Sequence, residues 1–249
     1  MSERTVTAAL IIIGNEILSG RTRDENLAFL AQALNEIGIQ MREVRIVPDA
    51  EADIVEAVNA LRAKHDHVFT TGGIGPTHDD ITSASVAKAL GLPYGRHPEA
   101  ERRLLAYYPP EKVNEARMKM AETPEGAVLI DNPVSVAPGF TVENVHVLPG
   151  VPSILQAMFA GLKSRLQGGA VVRSRTITVV CPEGDMAQSL AEIQATYPTV
   201  EIGSYPFMRQ GSFGTSLVLR SVDETAIASV AEAILADVRE RGVQVLDLF

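Results

Sequence analysis

Thr70-Thr71-Gly72-Gly73-Ile74-Gly75-Pro76-Thr77-His78-Asp79-Asp80-Ile81-Thr82 stands between a short β-branched run, Val68 to Thr71, and an amphipathic stretch from Ser83 to Leu90 that Gly91 stops. A strand, a glycine-rich turn and a helix in that order mark the place where open α/β sheets bind ligands. Three glycines let the main chain approach a ligand closely, and free N–H groups at a helix start attract anions. Phosphate is the anion this predicts. Two better-known phosphate loops are excluded. A P-loop needs Gly-Lys-Ser/Thr, and no lysine follows this loop before Lys88; a dinucleotide fingerprint needs glycine at position 78, where histidine stands.

Asp79 and Asp80 complicate a phosphate site. A carboxylate ~4 Å from a phosphate charge is repelled by roughly 1 to 4 kcal/mol, depending on the effective dielectric. The two charges share a site when a divalent cation lies between them. Alternatively, an aspartate here caps the next helix by accepting from its free N–H groups. Both readings stand for Asp79 and for Asp80, whereas His78 reads as a polar loop residue.

Outward from the loop, apolar runs of strand length alternate with helical stripes. Val6 to Ile13 is almost wholly apolar, which suits a central strand covered on both faces. Leu27, Leu30, Ala31 and Leu34 follow at helical spacing, with Gly38 as the stop. Val44 to Val47 is a second strand, and Ile54, Val55, Val58 and Leu61 a second helix. The resulting β-α-β-α-β-α order predicts a mainly parallel sheet with right-handed crossovers. Ala100 to Tyr108 and Lys112 to Ala121 read as two more helices, broken by Pro109-Pro110. Val145 to Leu148 is another buried strand; it enters Pro149-Gly150-Val151-Pro152-Ser153 and a helix through Leu155, Met158, Phe159 and Leu162.

A parallel sheet gathers the carboxyl ends of its strands, so Glu16, Asp49 and Asp80 are expected at one cleft. Asp49 has a rival reading as a helix N-cap. Ser153 either bonds a phosphate or only starts its helix.

Gln167-Gly168-Gly169 reads as a linker, which divides the chain into domains 1–167 and 170–249. The second domain has strand signals at Arg175 to Val180, Val200 to Ser204 and Thr215 to Arg220, with helices at Met186 to Ala195 and Glu224 to Arg241. That is a small α+β domain of β-α-β-β-α order.

The 249 residues include 22 Lys and Arg against 31 Asp and Glu, a formal net charge of −9. Cut after Gly169, the parts hold 16 basic against 21 acidic residues and 6 against 10. Neither part is basic, which argues against a nucleic-acid partner. Cys181 is the single cysteine, so no disulfide can form within the chain, and it reads as a buried strand thiol. No apolar stretch approaches the roughly 20 residues of a membrane helix, and Met-Ser-Glu-Arg-Thr carries no signal-peptide pattern. A cytoplasmic protein is expected.

Thr71 to Thr82 resembles the signature of the MoaB/Mog molybdopterin-binding fold. Its Gly-Pro-Thr-x-Asp-Asp form is similar to that of competence/damage-inducible protein A (CinA) and of the N-terminal domain of eukaryotic FAD synthase. Three more segments agree in order: Gly14-Asn15-Glu16-Ile17-Leu18-Ser19-Gly20, Asn132-Pro133-Val134 through Ala137-Pro138-Gly139-Phe140, and Leu148-Pro149-Gly150-Val151-Pro152-Ser153. Ile202-Gly203-Ser204-Tyr205-Pro206 resembles the domain that follows in those relatives.

The resemblance implies a three-layer α/β/α domain and a homo-oligomer. In the molybdenum-cofactor branch two aspartates serve adenylyl transfer to molybdopterin, and they fall on Asp49 and Asp80 here. In the CinA branch the domain is associated with cleavage of ADP-ribose and related pyrophosphates, dependent on a divalent metal (cobalt favoured) and aided by potassium. Ile74 departs from the Gly-Gly-Thr-Gly common in Mog proteins, which weighs against adenylylation. The chain ends at Phe249 without the deamidase domain of many CinA proteins, so nicotinamide-nucleotide deamidation is not expected.

The leading expectation is therefore a metal-dependent nucleotide pyrophosphatase using Co, Mn or Mg, with K+ as an aid. Gly72, Gly73, Gly75, Pro76 and Thr77 would hold the diphosphate. Asp80, with Asp49 or Asp79, would hold the metal, while Gly14, Asn15, Glu16, Lys119, Gly150 and Ser153 contact the substrate. Lys119 reads equally as the wet face of a helix. Molybdopterin binding or adenylylation is the alternative, and a non-catalytic nucleotide-binding regulator a further one.

Overall fold

A computed structural model of the chain describes residues 5–209 and 212–248. It divides into two compact units, Met1–Ala170 and Val171–Phe249.

The first unit is built on a six-stranded sheet. Its early elements run β1 (Val6–Ile13), α1 (Asn15–Leu18), α2 (Asn26–Asn35), β2 (Ile39–Val47), α3 (Glu51–Arg62), β3 (His67–Thr71) and α4 (Thr82–Leu90). Next come β4 (Tyr94–Arg96), α5 (Pro98–Tyr107), α6 (Glu115–Met118), β5 (Glu122–Pro124), β6 (Val128–Ile130), β7 (Gly139–Val142), β8 (Val145–Leu148) and α7 (Pro152–Lys163). The strand order is β2-β1-β3-β8-β7-β6. The first four strands pair in parallel, and β7 and β6 extend the sheet antiparallel. β4 and β5 form a separate two-stranded ribbon.

Alternation along β1 sends its apolar side chains to two cores. Ala9, Ile11 and Ile13 join Ile54, Val58 and Leu61 of α3 and Val86 of α4. Ala8, Leu10 and Ile12 join Leu30 and Leu34 of α2, Phe69, and Met158 and Phe159 of α7. Helices thus cover both faces, giving three layers, and this is why β1 carries no polar alternation. The expected α/β fold is the observed one.

The direction of the crossovers reverses between β1 and β3, because β1 leads out to β2 on one side while the chain returns to β3 on the other. Loops leaving the two strand ends therefore part, and they leave a crevice at the carboxyl edge.

Some expectations need correction. Lys112 to Ala121 is not one helix: it is two 3-10 turns, Pro110–Lys112 and Lys119–Ala121, around the single helical turn α6. Asn114 sets that break, since its side chain accepts from the N–H of Arg117 at 2.9 Å and starts a new turn. The Gly14 to Gly20 segment after β1 contains the single helical turn α1. The short strands β4 to β7 carry too few residues to show a period.

The second unit contains β9 (Arg173–Val179), α8 (Glu183–Thr196), β10 (Glu201–Arg209), β11 (Ser212–Ser221), α9 (Glu224–Glu240) and β12 (Val245–Leu248). Its antiparallel sheet has the order β10-β11-β9-β12, so β12 adds a strand to the expected β-α-β-β-α pattern. Ile177, Val179, Leu217 and Leu219 pack against Met186 and Leu190 of α8 and Val230 and Ile234 of α9. Cys181 lies in this core at 5% exposure, and burial pushes its thiol above the usual range. Among the described residues no helix is long and apolar enough to cross a membrane.

Candidate functional site

A cleft of about 550 Å³ occupies the crevice. Its floor comes from the strand ends Ile12, Ile13, Thr71 and Gly72, together with Pro149 and Gly150 after β8. The glycine loop forms one wall.

Two glycines in that loop cannot be replaced without strain. Gly72 has φ +99° and Gly73 φ +65°, both in the region that L side chains rarely adopt. A Cβ on Gly72 would fall 2.2 Å from the Ile13 carbonyl oxygen, and one on Gly73 would fall 2.2 Å from Thr82 Oγ1. The closeness has a purpose. Thr82 Oγ1 donates to the Gly72 carbonyl at 2.9 Å, and its N–H donates to the Gly73 carbonyl at 3.0 Å. These bonds clamp the loop onto the start of α4.

The N–H of Gly72 donates to the Leu148 carbonyl at 3.2 Å, so it extends the sheet and is not offered to a ligand. This corrects the expectation that all three glycines present amides. The N–H groups of Gly73, Ile74 and Gly75 have no hydrogen-bond partner among the described residues. Gly73, Ile74, Gly75 and Pro76 all line the cleft.

The two loop aspartates separate. Asp80 lines the cleft, and its Oδ2 accepts from the N–H of Thr77 at 2.8 Å and from the Thr77 hydroxyl. Asp79 is exposed and is not among the cleft-lining residues; hydrogen bonding from the nearby Thr77 side chain, which it shares with Asp80, and then from its own backbone N–H holds its carboxyl below the usual range. Neither caps α4, whose N-cap position is Ile81 with no side-chain bond. The capping reading is overturned because Asp80 turns back onto its own loop. Lys119 braces the same loop, donating from Nζ to the Thr77 carbonyl at 2.9 Å. It does not line the cleft and is not simply the wet face of a helix.

Asp49 likewise does not cap α3, whose N-cap is Ala50 without a side-chain bond. Its Oδ2 accepts from the N–H of Asn15 at 2.8 Å, tying the end of β2 to the turn that carries Glu16. Glu16 lines the cleft, whereas Gly14, Asn15, Asp49 and Thr77 are not among its lining residues. Gly150 lines it and Ser153 does not. Ser153 is exposed near the start of α7 and makes no cap bond there.

Several lining residues were missed from sequence. Arg23, Asn26, Asn132 and Ser135 all face the cleft region. Asn132 shapes its loop: its Oδ1 accepts from the N–H groups of Val134 and Ser135, and its Nδ2 donates to the Ala137 carbonyl. The Asn132-Pro133-Val134 motif was a usable signal; Arg23 and Asn26 offered none beyond a loop and a helix start.

No group of three or more His, Cys, Asp or Glu side chains is arranged to hold a metal among the described residues. Asp80 and Glu16 both line the cleft as separate carboxylates. Such a donor set suits a magnesium-type ion held by one or two carboxylates plus substrate phosphate oxygens, rather than a cage made by protein alone.

Residues 9–168 match the family described as a probable molybdopterin binding domain, and residues 156–247 match the FAD synthase middle domain. A protein of Pyrobaculum calidifontis is 42% identical over 212 residues, covering 80% of each chain. A CinA-like protein of Desulfosudis oleivorans is 37% identical over 79% of this chain, which spans 51% of that longer protein. The crystal structure of CinA from Thermoplasma acidophilum, of unknown function, superposes with a TM-score of 0.62 at 34% identity. That match covers 65% of this chain and 99% of the other. The cleft, its glycine loop and these likenesses together make the chain a CinA-like member of the MoaB/Mog molybdopterin-binding domain family.

Proposed function

We propose that the protein is a metal-dependent hydrolase of a diphosphate bond in a nucleotide of the ADP-ribose type. The observation that carries this reading is the row of unpartnered N–H groups at Gly73, Ile74 and Gly75 beside the Asp80 carboxylate, at the switch point of the sheet. Amides in a loop bind phosphate oxygens without needing a positive side chain. A carboxylate beside them would repel the same phosphates unless a cation joins the two. Bound there by Asp80 with Glu16, a divalent ion would polarise phosphorus–oxygen bonds and lower the pKa of water. Thr77 holds Asp80 through two hydrogen bonds, Lys119 holds Thr77, and Asp49 holds the turn bearing Glu16. The chain's own contribution is thus to fix two carboxylates and a phosphate cradle at one edge.

The test is AMP release from ADP-ribose with Co²⁺, Mn²⁺ or Mg²⁺, comparing the wild type with Asp80→Ala. Metal-dependent release that the variant loses supports the proposal. Absence of release from any nucleotide pyrophosphate would remove it.

A second reading, binding of a pterin, is supported by the match of residues 9–168 to a probable molybdopterin binding domain and by the apolar lining at Ile12, Ile17 and Ile74. Pterin retained by protein purified from a host that makes it would favour this reading.

A further inference from the structure

The cleft is two-sided. Ile74 and Ile81 of the glycine loop pack against the core on the α3–α4 face, and Asp80 lies in the same loop. Ile12, Ile17 and Ile154 belong to the core on the opposite, α2–α7 face, and all three line the cleft. The phosphate-type features and the apolar features therefore meet across the sheet edge.

On the α2–α7 side lie two buried polar atoms with no partner, Asn26 Oδ1 and Thr71 Oγ1. Asn26 is 4% exposed and Thr71 1%, and both line the cleft. Strand alternation puts Thr71 on the face of Phe69, the face that α2 covers. The carboxamide of Asn26 has a fixed sense: Nδ2 donates to the Gly150 carbonyl at 2.8 Å. Flipping it would set oxygen against oxygen, so Oδ1 must be the atom left over. A buried acceptor with no partner is costly, and such atoms call for an explanation where they occur. An apolar wall with a few convergent polar atoms is how proteins orient small molecules.

We infer that the nucleoside end of the ligand rests on the α2–α7 side of the cleft, with Asn26 Oδ1 and Thr71 Oγ1 bonding its N–H or O–H donors. The diphosphate then lies over Gly73 and Gly75. Both atoms are closed to bulk solvent, so engagement entails a small turn of each side chain toward the cleft. Asn26 and Thr71 act in specificity and take no part in bond breaking. The inference rests on the nucleotide reading above and adds to it an orientation and two recognition residues. The donor is either an exocyclic amine of the base or a ribose hydroxyl.

The experiment measures dissociation constants with a divalent ion present (Ca²⁺, under conditions where no AMP is released), by calorimetry, for wild type, Asn26→Ala and Thr71→Val. Ligands are pyrophosphate, ADP-ribose, its hypoxanthine analogue, and analogues lacking the adenosine 2′- or 3′-hydroxyl. Thr71→Val keeps the side-chain shape, so it remains informative should Asn26→Ala fold poorly. The expected result is unchanged pyrophosphate binding and roughly 10- to 100-fold weaker ADP-ribose binding in a variant. One analogue should show a similar loss with wild type and little further loss with the variant, which identifies the donor. Losses that simply multiply for every analogue, or variants that bind ADP-ribose as wild type does, overturn the inference alone. Failure of wild type to bind any of these ligands overturns the nucleotide reading and the inference with it.

Discussion

The carboxylate of Asp49 accepts a hydrogen bond from the backbone N–H of Asn15 at 2.8 Å, joining the loops that leave β2 and β1. Asp49 therefore serves the first helical turn of its neighbour, α1, as a capping acceptor serves its own helix. Removal of such an acceptor costs about 1 kcal/mol. Asp49→Ala should lower stability by that amount and speed hydrogen exchange at the Asn15 amide, whereas Asp49→Asn, which keeps an acceptor oxygen, should restore protection. An Asn15 amide that exchanges equally fast in all three proteins would count against the tie.

Gly73 and Gly91 form a matched pair, with φ +65° and +66°. A Cβ on Gly73 meets Thr82 Oγ1, while one on Gly91 meets nothing within 4 Å. Gly91→Ala should cost only the left-handed backbone strain, about 1 kcal/mol. Gly73→Ala should cost clearly more, about 2 kcal/mol or above, and weaken pyrophosphate binding as well. Equal urea midpoints for the two variants would show that the clash relaxes freely.

Lys119 touches the Thr77 carbonyl and not the cleft. Lys119→Met should therefore loosen the Asp80 loop, raising KM for ADP-ribose several-fold with a smaller change in kcat, and Lys119→Arg should recover part of the loss. A fall in kcat alone, with KM unmoved, would indicate direct participation instead.

His146 is buried on β8, stacked on Phe69 with ring centroids 4.8 Å apart, and its Nε2 lies 3.1 Å from His67 Nδ1. Burial first, then the nearby His67 and Arg165, push it down to about 3. The unfolded chain takes up this proton near pH 6.5 while the folded one refuses it, so stability is full above that pH and falls as acid is added. The slope should approach about 1 kcal/mol per pH unit below pH 6. Glu43, held down to about 2 by Lys64 and Arg45, adds a loss in the same direction only below its ordinary value of 4.5. Urea titrations between pH 6.5 and 5 thus isolate the histidine, and His146→Gln should flatten the slope there.

Much of this was legible in the residues because it depends on neighbours along the chain. Val6 to Ile13 announced a strand buried on both faces, and Gly72-Gly73 announced a turn that only glycine can make. The local bonds of Thr77 to Asp80 and Thr82 to Gly72 lie within the same short loop. What stayed hidden depends on partners brought from far away. Asn26 reads as an ordinary helix start until the Gly150 carbonyl arrives beside it. Asp49 reads as a cap for α3, the helix that follows it, and instead serves α1. Lys119 reads as a helix face until the fold sets it against Thr77. The ribbon of β4 and β5 and the strands β6 and β7 are stabilised by pairing, and runs so short hold no period to read.

The strand order β2-β1-β3-β8 also has a consequence for how the chain is made. As the polypeptide leaves the ribosome, β1, β2 and β3 can pair early, but the other side of β3 waits for β8. Meanwhile α4, the β4–β5 ribbon, α5 and the turns around α6 are all synthesised. Through that interval the Val68–Thr71 edge presents unpaired amides and carbonyls beside apolar side chains, a template for pairing with another nascent chain. Ribosomes that stall before Val145 would release the species most prone to aggregate, and the same edge becomes the Gly72 to Leu148 closure of the ligand cleft once synthesis passes it.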